Sequence, residues 1–241
     1  MYKKLAISSI VLNLILFGVI GYAIHLKGGI PFVVDYVSAK LSDTNKENEF
    51  DDYYKTRLSI FKESEEKDVI FLGDSLTDFN DWAESFPELN VGNQGIADDT
   101  TSGVLYRLKE TTNLKPSKLF ILIGINDLIN GVSRDVILKN YASILEEISK
   151  DTPNTEVYIQ SLLPTNPDLT YKNIDKDDIL WLNDNIKKLA TDNGYTYIDL
   201  YSLFVDGNDE LDKQWTIDGI HLNGSGYEVW QETLREFGVN R

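Results

Sequence analysis

The chain has 241 residues, the length of one domain plus appendages, and 42% of them are hydrophobic, so a sizeable core can form. It contains no cysteine, which excludes disulfides, thiol nucleophiles and thiolate metal sites. The formal net charge is -16; residues 1–30 hold three lysines and no acid, so the remainder carries -19, a surface that repels nucleic acid.

The N-terminus opens with Lys3 and Lys4, followed by a mostly apolar run from Leu5 to Ile24. That length spans a bilayer core, and the flanking lysines orient the chain with its bulk outside the cell. The expected organisation is a transmembrane anchor over residues 1–25, a polar tether over 26–48 and a catalytic domain over 49–241. On this reading the protein sits in the cell membrane as a single-pass chain with its domain outside. The alternative is secretion after cleavage near Gly21-Tyr22-Ala23, a small-x-small site.

Residues 49–66 read as a helix with Phe50, Tyr53, Tyr54, Leu58 and Phe61 on one side. Short apolar runs then recur at 69–72, 89–91, 119–123, 157–161 and 195–200, the texture of parallel strands buried on both faces. Helical patterns lie between them. One is capped by Ser133, with Val136, Ile137, Tyr141, Ile144, Leu145 and Ile148 inward. Another carries Ile179, Leu182, Ile186 and Leu189 and stops at Asn193-Gly194. The last opens with a capping box, Ser225-x-x-Glu228, and aligns Tyr227, Trp230, Leu234 and Phe237. Alternating strand and helix implies a doubly wound α/β sandwich, in which ligands bind beyond the carboxyl ends of the strands.

The loops at the strand ends carry the chemistry. Gly73-Asp74-Ser75-Leu76, Gly92-Asn93-Gln94-Gly95, Gly124-Ile125-Asn126-Asp127 and Asp218-Gly219-Ile220-His221 would all lie at one edge of the sheet, because parallel crossovers are right-handed. Ser75 at a strand-to-helix turn is either a nucleophile or an N-cap. His221 is the only imidazole outside the N-terminal segment, so it is the only histidine able to activate Ser75. Asp218, three residues earlier, would orient the ring. The Ser75 and Gly95 N–H groups and the Asn126 amide are candidate donors to a developing oxyanion. Read singly, Gly95 is a turn glycine, Asn126-Asp127 a cap pair, and Asp218 a turn former. The acidic stretch 206–215 lacks the glycine and glutamate of a calcium loop, with Leu211 and Ile217 in their places, so no metal is expected.

Together, GDSL (73–76), NQGIADDTT (93–101), GIND (124–127) and DGIHLN (218–223) resemble the four blocks of the SGNH hydrolases, also called GDSL esterases/lipases, over roughly residues 50–241. The tail DGIHLNGSGYEVW is most similar to the subgroup related to platelet-activating-factor acetylhydrolase. The resemblance implies a three-layer sandwich around a five-stranded parallel flavodoxin-like sheet in the order 2-1-3-4-5. It implies Ser75 as nucleophile, His221 as base, Asp218 as its partner, Gly95 and Asn126 in the oxyanion hole, and no cofactor. The second block departs from the family pattern: Gln94 replaces a basic residue, and Ala97-Asp98 replaces a glycine-containing pair. The expected function is a serine esterase that removes acetyl or short acyl groups from small-molecule, glycan or lipid esters. The alternatives are a lysophospholipase, an acyltransferase to a sugar hydroxyl, or a tethered binding domain without catalysis. The oligomeric state is not written in the sequence.

Overall fold

The structure, a computed structural model, describes residues 51–239. Of the two units into which the chain divides, Met1–Lys55 and Thr56–Arg241, the second holds the sheet formed by the described residues. Five short strands, β1 (Val69–Gly73), β2 (Val91–Gly95), β3 (Lys118–Leu122), β4 (Glu156–Gln160) and β5 (Thr196–Ile198), pair in parallel in the order β2-β1-β3-β4-β5. The helices are α1 (Asp52–Lys62), α2 (Ser75–Asp78), α3 (Trp82–Ser85), α4 (Thr101–Thr112), α5 (Ile125–Ile129), α6 (Arg134–Asp151), α7 (Lys176–Asp192), α8 (Tyr201–Phe204) and α9 (Gly224–Glu236).

Period-two alternation along the strands builds two cores. Ile70, Leu72, Leu119 and Ile121 face one layer, where they meet Val104 and Leu108 of α4, Ile137, Tyr141 and Ile144 of α6, and Ile179, Leu182 and Ile186 of α7. Val69, Phe71, Phe120 and Leu122 face the other, with Leu76 of α2, Trp82 of α3 and Trp230 and Leu234 of α9. This second core is aromatic: the ring of Phe71 stacks 4.0 Å from Trp82 and 5.1 Å from Phe120, and Trp82 meets Trp230 edge-on at 5.1 Å.

The register sets the site. Gly73 lies level with Gly95 of β2 and Leu122 of β3. The three loops that leave these ends, after residues 73, 95 and 122, therefore start side by side.

The expected fold needs correction in several places. It included an N-terminal transmembrane helix, but among the described residues no helix is long and apolar enough to cross a membrane. The segment assigned to it, residues 1–25, the tether and Phe50 lie outside the described residues. Val136 of α6 is exposed rather than inward, because at 100° per residue it falls off the stripe of Ile137, Tyr141, Ile144, Leu145 and Ile148 that faces the core. The cap of α9 is Asn223, whose side chain accepts from the Gly226 N–H, so the helix begins ahead of the Ser225 box. Residues 206–210 close on themselves, with Asp206 Oδ1 accepting from the Asn208 and Glu210 N–H groups.

Candidate active site

Ser75 is the first residue of α2, and the cap of that helix is its neighbour. Asp74 accepts the Leu76 N–H through Oδ1 at 3.1 Å, which leaves the Ser75 hydroxyl unused by the helix. That hydroxyl lies 2.9 Å from Nε2 of His221. The other ring nitrogen, Nδ1, lies 2.6 Å from Oδ2 of Asp218. Serine, imidazole and carboxylate thus form one hydrogen-bonded chain, brought together across 146 residues of sequence.

The D-x-x-H spacing has a local cause. Asp218 Oδ1 accepts the N–H groups of Ile220 and His221, folding the turn back so that Oδ2 meets the ring. Thr216 Oγ1 donates to the His221 carbonyl and accepts from Gly219 N–H, tying the turn from the other side. Gly219 adopts φ +83°, and a Cβ there would sit 2.6 Å from the Asn166 carbonyl oxygen. Burial acts to raise the Asp218 pKa, but the His221 ring and the two N–H groups outweigh it and hold the carboxyl below its usual range.

The expected oxyanion donors are placed differently from one another. The Asn126 amide donates one hydrogen to the Asp99 carbonyl at 2.9 Å, and an amide nitrogen carries two. The Gly95 N–H is already taken by Asn93 Oδ1 at 2.8 Å. Gly95 has another reason to be glycine: a Cβ would sit 2.3 Å from the backbone nitrogen of Asp78 in α2. The assignment of Gly95 as a donor is therefore corrected. Beyond it, the turn after β2 is pinned by Ile96 N–H on the Gly73 carbonyl and Ala97 N–H on Asp78 Oδ2. Asp98 then takes φ +62°, the left-handed conformation usually left to glycine, and no hydrogen bond to its N–H is found among the described residues.

Neither Asn126 nor Asp127 caps its own helix, whose N-cap is Gly124. Asp127 reaches across to α4, accepting Thr101 N–H at 2.8 Å and Thr101 Oγ1 at 2.6 Å. Gln94, which stands where the family has a basic residue, is buried and accepts Thr111 Oγ1. Two supporting residues escaped the sequence reading. Asn93 donates toward the carbonyls of Thr77, Asp78 and Asn80 and so clamps the α2 segment to β2. Arg107 is fully buried: its Nε meets Asp99 Oδ2 at 2.8 Å and its Nη2 the Gly73 carbonyl at 3.1 Å. A signal for Arg107 exists in the sequence, because it falls on the apolar stripe of Val104, Leu108 and Thr111, where a charge demands a partner. Asp74, also fully buried, has its pKa pushed up to about 8 by burial; the Leu76 N–H opposes this, and the carboxylates of Asp99 and Asp127 add to it.

A buried serine joined to a histidine and an aspartate, at the carboxyl edge of a five-stranded sheet, matches a known family over residues 71–229, the GDSL-like lipase/acylhydrolases. The chain belongs to this family. It is 30% identical over 194 residues to the platelet-activating factor acetylhydrolase IB subunit alpha2 of Homo sapiens, a match covering 75% of this chain and 80% of the relative. Its fold is shared by a Streptococcus pneumonia protein described as a platelet activating factor, with 23% identity, coverage of 82% of this chain and 98% of the other, and a TM-score of 0.72. An acetyl xylan esterase shares it at 21% identity, with coverage of 70% and 98% and a TM-score of 0.60. Family and relatives make the protein a serine ester hydrolase with an α/β fold.

Proposed function

We propose that the protein removes acetyl or similarly short acyl groups from alcohol esters, with Ser75 as nucleophile, His221 as base and acid, and Asp218 as the group that fixes the imidazole. The observation that carries this reading is the hydrogen-bonded chain Ser75 Oγ–His221 Nε2, His221 Nδ1–Asp218 Oδ2. Ser75 Oγ attacks the ester carbonyl as its proton passes to His221 Nε2, and the C–O bond to the alcohol breaks as that proton moves to the departing oxygen. Water then gives a proton to Nε2 and attacks the acyl-enzyme, releasing the acid and restoring the serine hydroxyl. The oxyanion is met by the Ser75 N–H at the start of α2, by the free hydrogen of the Asn126 amide and by the Asp98 N–H in place of Gly95.

Two considerations favour acetyl. The human relative is named an acetylhydrolase, and the fold neighbour an acetyl xylan esterase. Hydrolysis is favoured over transfer because the His221 side chain is 31% exposed, so water reaches the nitrogen that must activate it. We also assign the enzyme to the outside of the cell, on the basic-then-apolar order of residues 3–24, a pattern that directs export.

The test is a rate profile over p-nitrophenyl esters from acetate to palmitate, run beside acetylated sugars, for the wild type and Ser75→Ala. A preference for acetate that Ser75→Ala lowers by at least about 10⁴-fold, with loss of labelling by a fluorophosphonate, is the expected result. Equal labelling of the variant, or a maximum at long chains, would reject it.

A further inference from the structure

We propose that Phe79 is the platform for the leaving alcohol, and that this alcohol is a neutral sugar ring. The inference rests on the esterase reading above and extends it to the half of the ester that departs. Phe79 closes α2, its N–H donating to the Ser75 carbonyl at 3.0 Å, so it stands one helical turn beyond the nucleophile and on the same face. Its ring centroid lies 5.1 Å from that of His221, with the planes inclined at 40°. Yet the side chain is 57% exposed, among the large apolar residues that the fold leaves open. A ring needed only to brace the imidazole would gain more by being covered.

The order of proton transfers decides which half of the ester Phe79 meets. During acylation His221 Nε2 delivers its proton to the departing oxygen, so that oxygen lies beside the imidazole. The carbonyl oxygen lies toward the donors, away from it. A ring packed on His221 therefore borders the alcohol. Once the alcohol has gone, water takes its place and the contact with Phe79 no longer exists. Phe79 should then act on acylation and not on deacylation.

The surroundings select the class of alcohol. Phe79 walls a cleft of about 300 Å³ together with Asn80 and Asp81. Asn80 and Asp81 also line a second cleft, of about 480 Å³, with Glu84, Glu228 and Gln231. An exposed aromatic face flanked by carboxylates and amides suits a pyranose: the ring C–H groups lie on the negative face of the aromatic, and the hydroxyls donate to the carboxylates. A long acyl chain would find charge where it needs an apolar wall, and the -19 carried beyond residue 30 disfavours an anionic sugar.

Phe79→Ala and Phe79→Trp test this with monoacetates that differ only in the alcohol, methyl 2-O-acetyl-xylopyranoside, whose other hydroxyls are free, and ethyl acetate. The ratio of kcat/KM on the sugar acetate to that on ethyl acetate should fall about tenfold in Phe79→Ala and stay within about twofold in Phe79→Trp. The ratio of p-nitrophenyl acetate to p-nitrophenyl butyrate, and the deacylation rate after the p-nitrophenol burst, should match the wild type. A shift in the acetate-to-butyrate ratio would place Phe79 on the acyl side and overturn the proposal. Equal losses on both alcohols with slower deacylation would reduce Phe79 to a brace for His221 and overturn it too. Absence of wild-type turnover on every ester would instead remove the esterase reading, and this inference with it.

Discussion

The two halves of the site are built in opposite ways. Ser75 is 6% exposed and rests on an interior of Asp74, Asp99, Asp127 and Arg107, all buried, whose partners come from β1, α4 and the turn after β2. The histidine half is a single turn, residues 216–221, tied mostly to itself, with the Asp218 side chain 51% exposed. On the proposed mechanism, the difference arises from the molecules each half must admit. The nucleophile and oxyanion donors act at one carbon atom and gain from being fixed by the core. The histidine must meet an alcohol, then water, at one position, so it lies where solvent enters. Rigidity and access are thus assigned to separate parts of the chain, joined by the 2.9 Å contact between Ser75 and His221.

If the buried half holds the geometry, Arg107 is its keystone, because one guanidinium grips both the carbonyl that ends β1 and the carboxylate of the turn after β2. Arg107→Met leaves Asp99 buried and unpaired. We expect a loss of about 3–5 kcal/mol, read as a fall of roughly 10 °C in melting temperature. A melting temperature within about 2 °C of the wild type would show that the interior does not depend on this pair.

Asn126 sharpens the contrast: one amide hydrogen is spent on the Asp99 carbonyl, and the proposed mechanism gives the other to the oxyanion. Asn126→Ala should lower kcat by roughly 10²–10³ with KM nearly unchanged. Asp127→Ala, next to it, should act on stability instead, because its carboxylate anchors the start of α4. Near-normal kcat in Asn126→Ala would remove the amide from the oxyanion site.

The same contrast explains which features were legible in the sequence. Strands β1, β3 and β4 could be read because they are buried apolar runs, whereas β2 carries one apolar residue and begins where the expected run 89–91 ends, and β5 spans only 196–198 of the expected 195–200. The blocks after β1 and β3 could be read because they lie at strand ends, and Asp218 and His221 because a three-residue spacing is a local geometry; residues 92–95, expected as a loop, are most of β2 itself. Gly95 misled because glycine answers two needs alike, close approach of substrate and close approach of helix backbone, and only the packed α2 tells them apart. Asn93 was hidden because the carbonyls it meets are 13–16 residues away, and Arg107, though marked by its place on an apolar stripe, gave no sign of the Gly73 carbonyl 34 residues off. The short helices α2, α3, α5 and α8 have too few turns to show a period.

Asp74 offers the finest test of the buried half. Its carboxyl caps α2 through one oxygen, while the other, Oδ2, is buried with no hydrogen-bond partner. With its pKa raised to about 8 from the ordinary 3.8, the folded protein keeps it protonated at neutral pH, whereas the unfolded chain loses the proton above about pH 4. Between those values the native state binds the extra proton, so the contribution of Asp74 to stability falls as pH rises and levels off above pH 8. Asn has the shape of the protonated acid, caps a helix equally well and cannot ionise. Asp74→Asn should therefore gain on the wild type by about 1–2 kcal/mol between pH 5 and pH 8, less than the limit of about 1.4 kcal/mol per pH unit that one fully coupled proton would give. Parallel denaturant titrations of the two proteins across that range measure it. If the two stability curves run parallel, Asp74 is already ionised in the folded protein, and the interior beneath Ser75 is more polar than its packing indicates.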